Sequence, residues 1–165
     1  MLVVKDAMVL IHLSKMLLIE KSCKYFGAVI IPLLIEKEVT TGAYPDVHFV
    51  VDLIKRGVLT VKDVKNKNLI RKANEFNIQG GEAEAVALYW QEQADLLATD
   101  DDNVRKKKDI LGLQIIGTPA ILLQLFKEKV INKTETYDAL NILKKTGWFS
   151  SIVFDKIRME VDKNG

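Results

Sequence analysis

Two hydrophobic regimes alternate along the chain: short aliphatic or β-branched runs, and longer stretches whose apolar residues return at helical spacing. Leu2-Val3-Val4 is a brief run ending at Asp6 and predicts a buried parallel strand. From Met8 to Tyr25 the residues Leu10, Leu13, Leu17 and Leu18 keep a helical period, with Gly27 as the stop. Ala28-Val29-Ile30-Ile31 predicts a second strand, and Pro32 suits the first turn of a helix from Leu33 to about Thr41, ended by Gly42. A helix over Pro45 to Arg56, a strand over Val58 to Val61, and helices over Asn68 to Phe76 and Glu82 to Gln93 follow. Asp95-Leu96-Leu97-Ala98-Thr99 is a buried strand running straight into an aspartate triplet, and a helix continues to Leu111. Leu113-Gln114-Ile115-Ile116 is the last core strand. Thr118 caps a helix to Lys129, and the segments Thr134 to Lys145 and Ser151 to Val161 are helical.

Strands alternating with helices imply right-handed crossovers and a mainly parallel sheet between helical layers, a three-layer α/β/α architecture. With 165 residues, 48% of them hydrophobic, the chain is long enough for one compact core. We expect a single domain over residues 1–165, with a core of about 1–130 and a helical extension of about 131–165. No repeat, linker or low-complexity segment interrupts it.

Charge and cysteine content narrow the setting more than the function. The balance of 24 basic against 22 acidic residues, net +2, neither requires nor excludes a nucleic-acid partner. Cys23 is the sole cysteine, so no internal disulfide forms and a reducing, cytoplasmic compartment fits. Its apolar helical setting predicts a buried, inert thiol. Lys5 and Asp6 interrupt the start of the chain where a signal peptide needs an apolar segment. The most apolar run, Phe26 to Ile35, is cut by Pro32 and falls short of the ~20 residues of a membrane span.

The chemistry lies in the acids. Asp6, Glu38, Glu82 and the run Thr99-Asp100-Asp101-Asp102 each fall where a strand ends or a helix is placed. Carboxylates at the carboxyl ends of parallel strands converge on one crevice, and converging carboxylates repel unless a cation sits among them. A hard divalent ion is the simplest such cation, and phosphates are its usual substrates. Singly, each acid has a structural reading. Asp6 can cap a helix, for about 1 kcal/mol, and Glu82 can sit favourably at a helix N-terminus. Glu84, two residues beyond Glu82, points to another side of the same helix. One aspartate suffices to cap the helix after Thr99, so three in a row exceed what capping needs, even with Arg105 one turn on to offset them.

The blocks Val4-Lys5-Asp6-Ala7-Met8-Val9-Leu10-Ile11-His12-Leu13, Ile31-Pro32-Leu33-Leu34-Ile35-Glu36-Lys37-Glu38-Val39 and Gly81-Glu82-Ala83-Glu84-Ala85-Val86-Ala87-Leu88 form an ordered series. It continues through Leu97-Ala98-Thr99-Asp100-Asp101-Asp102-Asn103-Val104-Arg105 and Leu113-Gln114-Ile115-Ile116-Gly117-Thr118-Pro119-Ala120-Ile121-Leu122. In order and spacing the series resembles a PIN domain of the compact prokaryotic and archaeal kind, from roughly Val3 to Lys129. The resemblance implies a Mg²⁺- or Mn²⁺-dependent ribonuclease with a carboxylate-lined pocket. Many small members are the toxin half of toxin–antitoxin pairs of the VapBC type, which implies RNA as substrate and a small antitoxin as partner. Apart from the resemblance, the apolar face of the tail (Leu140, Ile142, Leu143, Trp148, Phe149, Ile152, Phe154) predicts either a homodimer interface or closure of the chain's own core. Carried over by position, Asp6, Glu38, Glu82, Asp100 and Asp101 are the site acids, with Asp6, Glu82 and Asp100 on the metal. Thr99 is the accompanying hydroxyl, and Glu84 is an accessory acid. Ala7 departs from the Thr or Ser usual after the first Asp, Pro119-Ala120 replaces a more usual Leu-Gly, and the tail from Lys133 lies outside the pattern.

Other classes fit less well. A receiver domain wants paired acids after the first strand and a late-strand Lys, but the chain has a single Asp6 and Gly117-Thr118. A haloacid-dehalogenase-type phosphatase wants Asp-x-Asp, which Asp6-Ala7-Met8 fails, and no Gly-x-x-x-x-Gly-Lys loop is present. The remaining alternative is a PIN-fold binding or protein-interaction module without activity. Arg105-Lys106-Lys107-Lys108 is expected to form a solvated helix face, His12 and His48 to be isolated, and Trp90, Trp148 and Phe149 to lie in the core or an interface.

Overall fold

A computed structural model describes residues 1–42 and 44–164. The strands are β1 (Leu2–Lys5), β2 (Ala28–Pro32), β3 (Leu59–Lys62), β4 (Leu96–Ala98) and β5 (Ile115–Ile116). They form one sheet in the order β3-β2-β1-β4-β5, parallel throughout, with Val4 in register with both Ile30 and Leu97. The chain builds outward from β1 through β2 to β3, then returns to the other side of β1 for β4 and β5. The reversal leaves a crevice beyond the carboxyl ends of β1 and β4, the usual ligand position in such sheets. Asp6 and Thr99, the residues that directly follow those strands, stand at its edge.

The helices are α1 (Ala7–Lys15), α2 (Ile19–Phe26), α3 (Leu33–Thr41), α4 (Val47–Lys55), α5 (Lys67–Glu75), α6 (Gly80–Glu92), α7 (Asp102–Lys106), α8 (Lys108–Leu111), α9 (Thr118–Lys127), α10 (Lys133–Thr146) and α11 (Ser151–Asn164). On one face α6 packs across β1, β2 and β4 with α5 behind it; α1, α2, α4 and α9 pack together on the other. Ala83, Ala85, Val86, Ala87 and Leu88 of α6 are all buried. Small residues there let the helix lie close to the sheet.

The expected α/β/α layering is present, with three local differences. The helix expected over Met8 to Tyr25 is two helices, because Leu17 takes a left-handed conformation (φ 59°) and turns the chain between α1 and α2. Apolar spacing continues across that break, so periodicity does not reveal it. The helix expected from Asp102 to Leu111 is likewise divided, at Lys107, whose Nζ donates to the Phe76 carbonyl. Thr118 begins α9 but does not cap it, since its side chain turns to Asp100.

The tail closes its own side of the molecule. Leu140, Leu143, Phe154, Ile157 and Val161 are buried, and α10 and α11 pack on α9. Trp148, expected in the core or at an interface, is 96% exposed and so lies outside the core. Cys23 is buried, as its apolar setting predicts. Lys5 is fully buried too: its ammonium donates to the Ser22 hydroxyl and lies 5.2 Å from the centre of the Phe26 ring. Burial lowers its pKa to about 8.

Candidate carboxylate site at the sheet switch point

Asp6 caps α1: its Oδ1 accepts the Val9 N–H at 3.2 Å, while its own N–H continues the sheet to the Ala98 carbonyl at 3.0 Å. Its Oδ2 accepts the Thr99 hydroxyl. The Thr99 oxygen in turn accepts the Asp101 N–H at 3.1 Å, so one buried hydroxyl ties the end of β1 to the turn that follows β4. Asp6 is only 4% exposed. Burial therefore pushes its pKa up to about 7; the Thr99 and Val9 hydrogen bonds act against the rise, and the charges of Asp100 and Glu82 add to it. A carboxylate at that electrostatic disadvantage is one that a cation would relieve.

Asp100 is fixed from two sides. Its Oδ1 accepts the Thr118 N–H at 2.7 Å, and its Oδ2 accepts the Thr118 hydroxyl and faces His12 Nδ1 at 2.9 Å. Gly117 allows this approach, because a Cβ there would fall 3.1 Å from Asp100 Oδ1 and 2.4 Å from the Arg105 guanidinium. Asp101 turns away from this cluster, and its Oδ1 accepts the Val104 N–H at 2.8 Å to cap α7. Asp102 is exposed in the first turn of that helix.

The remaining acids come from α3 and α6. Glu38, from the exposed side of α3, presses its carboxyl end onto Gly81, where a Cβ would fall 2.6 Å from Oε1. Although the residue as a whole is exposed, that end loses water. Its pKa rises for this reason first, and then through the charges of Glu82 and Glu84, with the Gly81 backbone N–H acting against the rise. Glu82 is the link, its charge acting on both Asp6 and Glu38. Glu84 diverges from it and accepts the Leu34 N–H at 2.9 Å. It thereby serves the start of α3, whose cap position is Pro32, a residue with no side-chain acceptor.

The sequence-derived acids thus divide. The charges of Asp100 and Glu82 act on Asp6 and that of Glu82 acts on Glu38, so these four acids are linked in a series, whereas Asp101 and Glu84 are occupied by helix starts. Among the described residues no three His, Cys, Asp or Glu side chains are drawn into a single ready-made cage. Asp6, Asp100 and Glu38 instead lean on separate backbone or side-chain donors. The donor set is all oxygen, the kind that suits Mg²⁺ or Mn²⁺ rather than a softer metal. The glycines at 81 and 117 let Glu38, and Arg105 with Asp100, come up against the backbone, where a Cβ would collide with them. A cleft of about 370 Å³ lies away from the acids, at the far end of α9, between Phe126, Lys129, Asn132 and Asn164.

His12 is the site residue that sequence reasoning missed. It is 4% exposed and bonded to an aspartate 88 positions away, so no local spacing announces it. His48, by contrast, is exposed and bonds only the nearby Pro45 carbonyl.

Fold and site define an α/β protein with an acidic crevice at the switch point of a parallel sheet. The chain belongs to the PIN-domain family, whose model matches residues 2–162 and whose members are generally nucleases. The match takes in α10 and α11, beyond the Val3 to Lys129 stretch that carries the sequence resemblance. No curated protein and no solved structure matches the chain. Among the described residues no helix is long and apolar enough to cross a membrane.

Proposed function

We propose that the protein is a Mg²⁺- or Mn²⁺-dependent endoribonuclease. The observation that carries this reading is the buried Asp6 carboxylate at the switch point, flanked by the charges of Asp100 and Glu82. These three acids would hold the ion, with Glu38 at the open side of the crevice. A bound ion supplies Lewis acidity at the phosphate and activates water for in-line attack. The chain's own residues do the positioning. Thr99 sets the distance between Asp6 and the following turn, and Asp101 and Glu84 keep α7 and α3 in place. Arg105, whose guanidinium lies against Gly117 beside Asp100, is placed to meet a substrate phosphate. Arg105, Lys106 and Lys108 are exposed, so this edge also attracts a polyanion at long range.

The proposal extends to a biological setting: a single-domain cytoplasmic toxin of the VapBC type, homodimeric and held inactive by a small antitoxin. The exposed apolar residues Trp148, Ile152 and Met159 support a protein partner for the tail. The test is incubation with a mixed single-stranded RNA pool, with and without Mg²⁺ or Mn²⁺, beside Asp100→Asn. Metal-dependent cleavage that the variant lacks is the expected result. No cleavage, together with no metal-induced rise in melting temperature, would refute the nuclease reading and favour a binding module with a relict pocket.

A further inference from the structure

The imidazole of His12 sits in the last turn of α1 at a position whose neighbours Leu10, Ile11 and Leu13 are all buried and apolar. A histidine in such a place is costly unless its ring nitrogens are partnered. Only one is. Nδ1 meets Asp100 Oδ2 at 2.9 Å, with both side chains about 5% exposed or less, while Nε2 is buried with no partner among the described residues. If packing were the whole purpose, leucine would fill the position with no polar atom left over. The bond to Asp100 is the feature that distinguishes imidazole from an apolar side chain here.

We infer that His12 is a positioning residue for the carboxylate crevice, orienting Asp100, and that Phe149 of the tail holds its ring in place. An ionised carboxylate only accepts, so the bond runs from Nδ1–H to Oδ2 and fixes the tautomer. Together with the Thr118 N–H and hydroxyl, it gives Asp100 three donors. A carboxylate has roughly four acceptor sites, so about one is left, and it is the one a cation would take. The ring is steadied from behind: Phe149 meets it edge-on at 5.6 Å and 64°, and Phe154 meets Phe149 at 6.4 Å and 85°. Gly147 makes room for this, since a Cβ there would fall 2.5 Å from the Phe149 ring. The tail therefore reaches the acids through a chain of contacts, Phe149 to His12 to Asp100. Partners behind a metal ligand commonly change affinity by about 10–100-fold when removed.

This inference rests on the metal reading above, and its test separates the two. Titrating Mn²⁺ alone into the metal-free protein by calorimetry, we expect His12→Leu to weaken binding by about 10–100-fold. The metal-free melting temperature should be unchanged or raised, because the unpartnered Nε2 is gone. His12→Asn, whose amide N–H can stand near the Nδ1 position, should recover most of the affinity. Wild-type affinity in His12→Leu would overturn the positioning role alone. No Mn²⁺ binding by the unsubstituted protein would overturn the metal reading and this inference with it. Should His12→Leu fail to fold, nitrogen NMR of the unsubstituted protein decides: an Nδ1–H signal is expected, and an imidazole protonated only at Nε2 would refute the assignment.

Discussion

Asp6→Asn is the substitution that most sharply tests the electrostatics of the crevice. In the folded protein burial raises the Asp6 pKa from 3.8 to about 7. At about 1.4 kcal/mol per pH unit, that gap corresponds to roughly 4 kcal/mol of destabilisation of the ionised folded state. Asparagine removes the charge but has a single carbonyl oxygen. It can serve the Val9 N–H or the Thr99 hydroxyl, not both. One lost hydrogen bond and a new amide to be satisfied together take back about 2 kcal/mol. The net expectation is a gain of about 1–3 kcal/mol at pH 8, or a rise of roughly 2–10 °C in melting temperature for a chain of this size.

The sign depends on pH. A group whose folded pKa is raised contributes stability that is full below the unfolded value and lost as pH climbs through the folded one. Wild type should therefore lose more stability between about pH 4 and pH 7 than Asp6→Asn, in which only Glu38 and the other shifted carboxylates still titrate. The advantage of the variant should shrink to about zero near pH 5. Thermal unfolding of metal-free protein in a chelator, followed by circular dichroism at pH 5 and pH 8, measures this directly. A variant less stable than wild type at pH 8, or an advantage that grows towards pH 5, would refute the reasoning. The same variant should not cleave RNA in Mg²⁺ or Mn²⁺.

Three further perturbations probe neighbouring features. Gly81→Ala places a Cβ 2.6 Å from Glu38 Oε1 and must push that carboxylate aside. Alanine favours a helix over glycine by about 1 kcal/mol, so melting should hold or rise while cleavage falls at least tenfold. Because Asp6 keeps a proton up to about pH 7, Mn²⁺ must displace it. Affinity measured by calorimetry should climb up to tenfold per unit below pH 7 and level off above, with protons released. Lys5, with its pKa lowered to about 8, keeps its proton better in the unfolded chain, so wild-type stability should rise between about pH 8 and pH 10.5. Lys5→Met should be more stable at pH 7 by as much as about 3 kcal/mol and should lack that contribution; because the Cys23 thiol, pushed up by burial, acts the other way over the same range, wild type is compared with the variant, and parallel profiles would count against a buried ammonium.

The layers and the positions of the acids were legible because both follow from local pattern. Aliphatic runs mark β1, β2 and β4, and a charged residue directly after such a run falls at the sheet's carboxyl edge. What each acid does there was not legible. Asp101 and Glu84 look like Asp100 and Glu82 in the sequence, and only the proximity of Val104 N–H and Leu34 N–H turns them into caps. Thr118 has the credentials of a cap but is claimed by Asp100, its partner 18 positions back. His12 is hidden for the same reason, and the burial of Lys5 depends on Ser22 and Phe26 of α2. Periodicity describes a residue's own element, while the partners of Glu84, Thr118, His12 and Lys5 lie elsewhere in the chain; Asp101 caps its own helix, and what the sequence leaves open is which aspartate of the triplet does so.

The edge of Phe149 resting on His12 bears on how such a chain can diverge. Position 149 lies outside the strand-and-acid series, in the tail. An imidazole at position 12 asks for a flat ring edge behind it, whereas an aliphatic residue at 12 would accept almost any apolar neighbour. Substitutions at these two positions should therefore be inherited together, and a lineage that loses one is under little pressure to keep the other.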